Sequence, residues 1–125
     1  MAQTFDVCIR GAGGVGRALS LLLARERLRV ALVPGPAPAA EGTDVRAYAL
    51  NTASRALLES VRSWPGAEHA TPVLRMDVHG DMGGEVSFDA RRHPSTEALA
   101  WIVDVPALES RLADAVRFQP QVEVV

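Results

Sequence analysis

The chain has 125 residues, 48% of them hydrophobic and 22% charged, with a formal net charge of -2. That balance suits one soluble globular domain with a real core and excludes a disordered chain. There is no basic excess to neutralise a nucleic-acid backbone, and no apolar run approaches the roughly 20 residues of a membrane-spanning helix.

Residues 5–9 form a short apolar run that stops at a glycine-rich turn, as a buried strand of a parallel sheet does. Cys8, the only cysteine, lies in this run and is expected to be a small buried hydrophobe; no internal disulfide can form. A helical pattern starts inside the turn, with Ala18, Leu19, Leu22 and Leu23 expected inward and Arg17, Arg25 and Glu26 toward solvent. Residues 29–33 make a second apolar strand, stopped by Pro34, so residues 5–33 read as a β-turn-α-β unit. A proline- and alanine-rich loop follows over 34–42. A helix is then predicted over 51–63, capped by Asn51 or Thr52 and ended by Trp64-Pro65-Gly66.

From Val73 the period changes to two. Leu74, Met76 and Val78 alternate with Arg75, Asp77 and His79, and Val86 and Phe88 continue the alternation beyond a glycine-rich loop. The pattern predicts an antiparallel hairpin with one covered face. Trp101-Ile102-Val103 is a further apolar run, and Asp104 with Pro106 should start a helix whose stripe is Leu108, Leu112, Ala115 and Val116. Residues 122–125 close the chain as a strand.

Gly11, Gly13 and Gly16 match G-x-G-x-x-G between a strand and a helix. In that setting Gly11 permits the tight turn, Gly13 lets backbone approach a pyrophosphate, and Gly16 allows close helix–strand packing. The helix start offers free N–H groups and a positive dipole end to phosphates. An acidic residue for a ribose hydroxyl is expected about 20 residues on. Pro34 occupies that place, and the nearest acids are Glu41 and Asp44. Arg10 stands where an apolar residue is usual, either buried and paired or facing the cofactor side. All 13 basic residues are arginine, which excludes a P-loop or Schiff-base lysine within this chain. His69, His79 and His93 show no metal-ligand spacing.

The run Asp44-Val45-Arg46-Ala47-Tyr48-Ala49-Leu50-Asn51-Thr52-Ala53-Ser54, the helix ending near Trp64, Phe88-Asp89-Ala90, and Trp101-Ile102-Val103 before Val105-Pro106-Ala107-Leu108 together carry a family resemblance. The chain resembles the N-terminal portion of the ubiquinone-biosynthesis FAD-dependent hydroxylases, of the para-hydroxybenzoate hydroxylase class of flavoprotein monooxygenases. The resemblance implies an α/β fold: a Rossmann-like βαβ FAD-binding fragment with a parallel sheet core, plus an antiparallel hairpin from the start of a substrate domain. Residues 1–70 would be the N-terminal part of the FAD-binding domain, 71–103 the first substrate-domain strands, and 104–125 a helix and strand returning to it.

It also implies FAD as cofactor, NAD(P)H as reductant, and oxygen-dependent hydroxylation of an electron-rich aromatic ring, such as a ubiquinone precursor. Gly11, Gly13, Gly14 and Gly16 would hold the cofactor, Arg46 its pyrophosphate and ribose side, and Arg111 a further contact. No catalytic residue and no metal site is expected within these residues. Two later family motifs, an Asp-Gly pair and a Gly-Asp segment, would lie beyond position 125. The chain alone is therefore expected to be inactive and to self-associate through uncovered sheet edges and a bare helix face. The expected location is the cytoplasm, with the inner membrane face left open as a site of action. Two other readings remain open from the residues: an NAD(P)-binding dehydrogenase fragment, and a non-catalytic interaction domain that keeps the fold.

Overall fold

The computed structural model describes residues 2–36 and 42–125, so Glu41 and most of the proline-rich loop lie outside the described residues. β1 (Val7–Arg10) runs through the glycine turn into α1 (Gly14–Arg25), and β2 (Val30–Val33) returns parallel to β1, with Val7 opposite Val30 and Arg10 opposite Val33. β8 (Val122–Val124) joins the other side of β2, also parallel, giving the order β1-β2-β8. This α/β arrangement with a parallel sheet is the expected fold class.

Position in the sheet sets burial. Central β2 buries Val30, Ala31 and Leu32, whereas edge strand β1 alternates between buried Ile9 and exposed Cys8 and Arg10. Cys8, expected to be buried, is therefore exposed: Ile9 faces α1, and Cys8 faces the opposite side of an edge strand. Arg10 points outward and makes no ion pair among the described residues.

α1 buries Ser20, Leu21 and Ala24 most deeply; of the residues expected inward, Ala18, Leu22 and Leu23 pack partly buried against the core, while Leu19 stays 43% exposed. The reason is Gly16, which approaches β1 so closely that the positions four, five and eight residues later follow it inward. Buried Ser20 satisfies its hydroxyl by donating to the Gly16 carbonyl at 2.8 Å.

α2 (Thr52–Ser60) starts at Asn51, whose side chain accepts from the Ser54 N–H at 2.9 Å. It ends at Ser60, short of the expected Ser63, because Arg62 takes a left-handed backbone with φ 57°. The Arg62 N–H donates to Glu59 and the Ser63 N–H to Leu58, the paired bonds of a Schellman ending. Arg27, at φ 64°, closes α1 in the same way.

A second sheet was not expected from the sequence. β3 (Ala47–Leu50) and β4 (Ala70–Val73) flank β7 (Ala100–Asp104), both antiparallel to it. Pro72 argues against a strand by itself but is tolerated because β4 is an edge. Arg55 of α2 lies over the rings of Trp64 and Trp101, at 5.1 and 4.6 Å, and so fastens α2 to this sheet.

The predicted hairpin is present as β5 (Arg75–His79) and β6 (Glu85–Asp89), with Met76 opposite Phe88 and Val78 opposite Val86. Its expected covered face is absent: these four side chains are 42–54% exposed. The hairpin pairs with no other strand, and every one of its residues except Asp89 is exposed, so neither face is covered among the described residues. α3 (Val105–Arg117) follows the expected stripe, burying Leu108, Leu112 and Val116 and packing on α1 and β7. Asp104 holds the position before α3, but its side chain does not cap the helix; it contacts Nδ1 of His69 at 3.2 Å. No described helix is long and apolar enough to cross a membrane.

Candidate functional site

The glycine turn has the geometry that its spacing requires. Gly11 sits at φ +109°, a backbone that only glycine adopts freely, and its N–H donates to the Val33 carbonyl at 2.7 Å. That bond ties the turn to the end of β2. A Cβ on Gly16 would collide with the Gly11 carbonyl, so only glycine permits this approach of α1 to β1. A Cβ on Gly13, by contrast, would meet nothing within 4 Å. The outer side of the turn is open.

α1 begins there without a side-chain cap and without an acidic residue in its first turn. Its first N–H groups are thus available to an anion, in a helix of 12 residues with a full dipole. Such a turn fits a pyrophosphate, whose oxygens need close backbone donors and no intervening side chain. Pro34, exposed at the end of β2, supplies no acceptor for a ribose hydroxyl.

Arg46 precedes β3 and is fixed from both sides. Its carbonyl accepts from the Val105 N–H at the start of α3, at 3.1 Å. Its guanidinium forks onto Asp44, with Nε–Oδ1 at 3.0 Å and Nη2–Oδ2 at 2.8 Å, and reaches Glu109 at 3.8 Å. The bonds from Arg46 hold the Asp44 carboxyl down at about 2, against an ordinary 3.8. Asp44 is therefore engaged by Arg46 rather than free for a ribose.

α3 connects this arginine to the glycine turn. Glu109 lies one helical turn before Leu112, and the Leu112 side chain seats against Gly14, 4.0 Å from where a Cβ would stand. The two expected cofactor contacts thus share one flank of α3, a link that the apolar spacing of Leu108 and Leu112 only hinted at. Arg111, on the same helix, is engaged within the fold. Its Nε and Nη2 donate to the Trp64 carbonyl at 3.3 and 3.0 Å, clamping α3 to the segment after α2. Among the described residues no group of three or more His, Cys, Asp and Glu is placed to hold a metal ion.

Beside Gly14 and Val15 runs an apolar groove of about 400 Å³ between α1, α2, α3 and β3. Leu19, Leu22, Tyr48 and Leu57 line it, which explains why Leu19 is left exposed.

No protein-family model matches the chain. Over 96% of its length it is 29% identical to 3-demethoxyubiquinol 3-hydroxylase of Escherichia coli (strain K12), of which it covers 32%. Among solved structures it superposes on p-nitrophenol 4-monooxygenase PnpA from Pseudomonas putida DLL-E4 with a TM-score of 0.67 at 18% identity, covering 100% of this chain and 32% of that one. The match to PqsL of Pseudomonas aeruginosa, a probable FAD-dependent monooxygenase, has a TM-score of 0.65 at 22% identity, over 97% and 32% of the two chains. The flavin-dependent monooxygenase PieE, solved with FAD and substrate, gives 0.66 at 20% identity, over 96% and 23%. The chain spans about a third, or less, of the length of these proteins. In sequence and in fold it resembles the N-terminal third of an FAD-dependent aromatic hydroxylase.

Proposed function

We propose that the chain provides the pyrophosphate-binding part of the FAD site in a flavin-dependent aromatic hydroxylase. The observation that carries this reading is the uncapped start of α1, open beside Gly13 and joined through Leu112 and Glu109 to Arg46. Gly11, Gly13, Gly14 and Gly16 let backbone N–H groups approach the pyrophosphate. Arg46 adds a guanidinium fork on the ribose and phosphate side, exchanging Asp44 for phosphate oxygens. Arg111 takes a positioning role in this reading, since it holds α3 against Trp64.

FAD, once bound and reduced by NAD(P)H, supplies the oxygen chemistry; the chain binds and orients it. The name of the 29% identical relative supports a ubiquinone precursor as the aromatic substrate. Because the chain spans about a third of that relative, we propose that it does not hydroxylate by itself. The bare hairpin face and the groove beside Gly14 support self-association of the isolated chain. A single monomeric species in light scattering, at concentrations up to those used for spectroscopy, would rule out that association.

The decisive experiment is an absorption spectrum of the purified chain before and after FAD addition and desalting. Flavin retained by the chain, and lost in Arg46→Ala, supports the proposed site. Complete loss of flavin on desalting favours the second reading, a non-catalytic domain that keeps the fold. Pro34 in the acidic position and the engagement of Asp44 with Arg46 are the observations on that side.

A further inference from the structure

At the end of α1 opposite the glycine turn, the C-terminal ends of α1 and α2 meet the flank of α3 around a second cavity, of about 470 Å³. The length of α1, 12 residues or roughly 18 Å, separates it from the turn. Its floor is apolar, made by Leu21, Val61 and Ala115, with Phe118 at its edge. Its rim carries three guanidinium groups, from Arg25, Arg62 and Arg111, against one carboxylate, Asp114.

Each rim group has a definite state. Arg25 donates one N–H to the Ser60 carbonyl at 3.3 Å, and Arg111 gives two to the Trp64 carbonyl. These bonds cover the negative carbonyl end of α2 and of the segment that follows it. They leave further donors on each fork, since a guanidinium has five. Arg62 makes no side-chain hydrogen bond or ion pair among the described residues, and its left-handed backbone at the end of α2 fixes where it emerges. Asp114 is itself engaged by Arg117 at 3.3 Å. Phe118 stands 79% exposed at the edge of the cavity, a large aromatic surface left in water.

We propose that this cavity binds an amphipathic oxyanion, with a carboxylate or phosphate head between Arg25, Arg62 and Arg111 and an apolar body along Leu21, Val61, Ala115 and Phe118. Guanidinium forks match both heads, and the apolar floor accommodates the tail. The groove beside Gly14 is larger in apolar lining but has no charged residue, so it cannot select an anion. The proposal is independent of the flavin reading.

The test is calorimetric titration of the 125-residue chain with laurate, dodecyl phosphate, dodecyltrimethylammonium and inorganic phosphate, each kept below micelle formation. Saturable binding of laurate or dodecyl phosphate is expected, at least about tenfold tighter than the trimethylammonium, with inorganic phosphate much weaker for want of a tail. Comparing laurate with dodecyl phosphate identifies the preferred head. Arg62→Gly removes the guanidinium while favouring the left-handed backbone, so the fold is kept, and it should weaken oxyanion binding about tenfold. Ala115→Phe, which fills the floor, should abolish it. Equal affinity for the cationic and anionic tails, or oxyanion binding unchanged by both Arg62→Gly and Arg25→Gln, would overturn the proposal.

Discussion

The glycine turn and the β5–β6 hairpin each carry a short strand into a glycine-rich segment, yet they end in opposite states. The turn is held by one hydrogen bond, Gly11 to Val33, and by packing of Gly16 against Ile9 and of Gly14 against Leu112 of α3. The hairpin has its pairing and register but no cover, and Met76, Val78, Val86 and Phe88 remain in water. Alternation therefore encodes which side chains share a face. It does not encode whether anything is placed over that face.

The comparison breaks most visibly at Gly16. Gly16→Ala should cost about 3 kcal/mol of stability in urea unfolding, because the added Cβ meets the rigid Gly11 carbonyl and not a yielding side chain. Equal stability of this variant and the parent would show that the turn relaxes freely. A smaller effect is expected at the proposed ligand contact. Arg46→Ala should weaken FAD binding by about 2 kcal/mol, with little change in the melting temperature, since its pairs with Asp44 and Glu109 are exposed.

On the hairpin, Phe88→Ser with Met76→Ser should alter stability by no more than about 0.5 kcal/mol. The same change should reduce association in light scattering. Loss of stability comparable to that of Gly16→Ala would mean that the hairpin face is covered in solution.

The finest effect is electrostatic. Asp44 and Asp89 are each lowered to about 2 by hydrogen bonds from Arg46 and Arg91. Both folded values lie below the ordinary 3.8, so the pairs stabilise the fold above that pH, and their contribution fades as pH falls toward 2. Carboxyl-carbon NMR should find both midpoints near 2. In Arg46→Ala, Asp44 should move back toward 3.8 while Asp89 stays put; no movement of Asp44 would refute the assigned cause.

The sequence by itself determined the local units. The G-x-G-x-x-G turn after an apolar run, Asn51 ahead of α2 and the stripe of α3 are written in residues a few positions apart, and each reappears in the structure. Arg46 and its surroundings carried the family resemblance as well. What the tertiary structure decided was everything that depends on a distant neighbour. The exposure of Cys8 follows from β1 being an edge, and the inward face of α1 from the approach of Gly16 to β1. β3 and β4 became strands because β7, about 30 to 50 residues away in sequence, lies between them. Arg111 was drawn to the Trp64 carbonyl and Asp44 to Arg46 by geometry that no spacing rule contains. Periodicity records a side chain's direction along its own element; burial and pairing belong to whatever the fold sets opposite it.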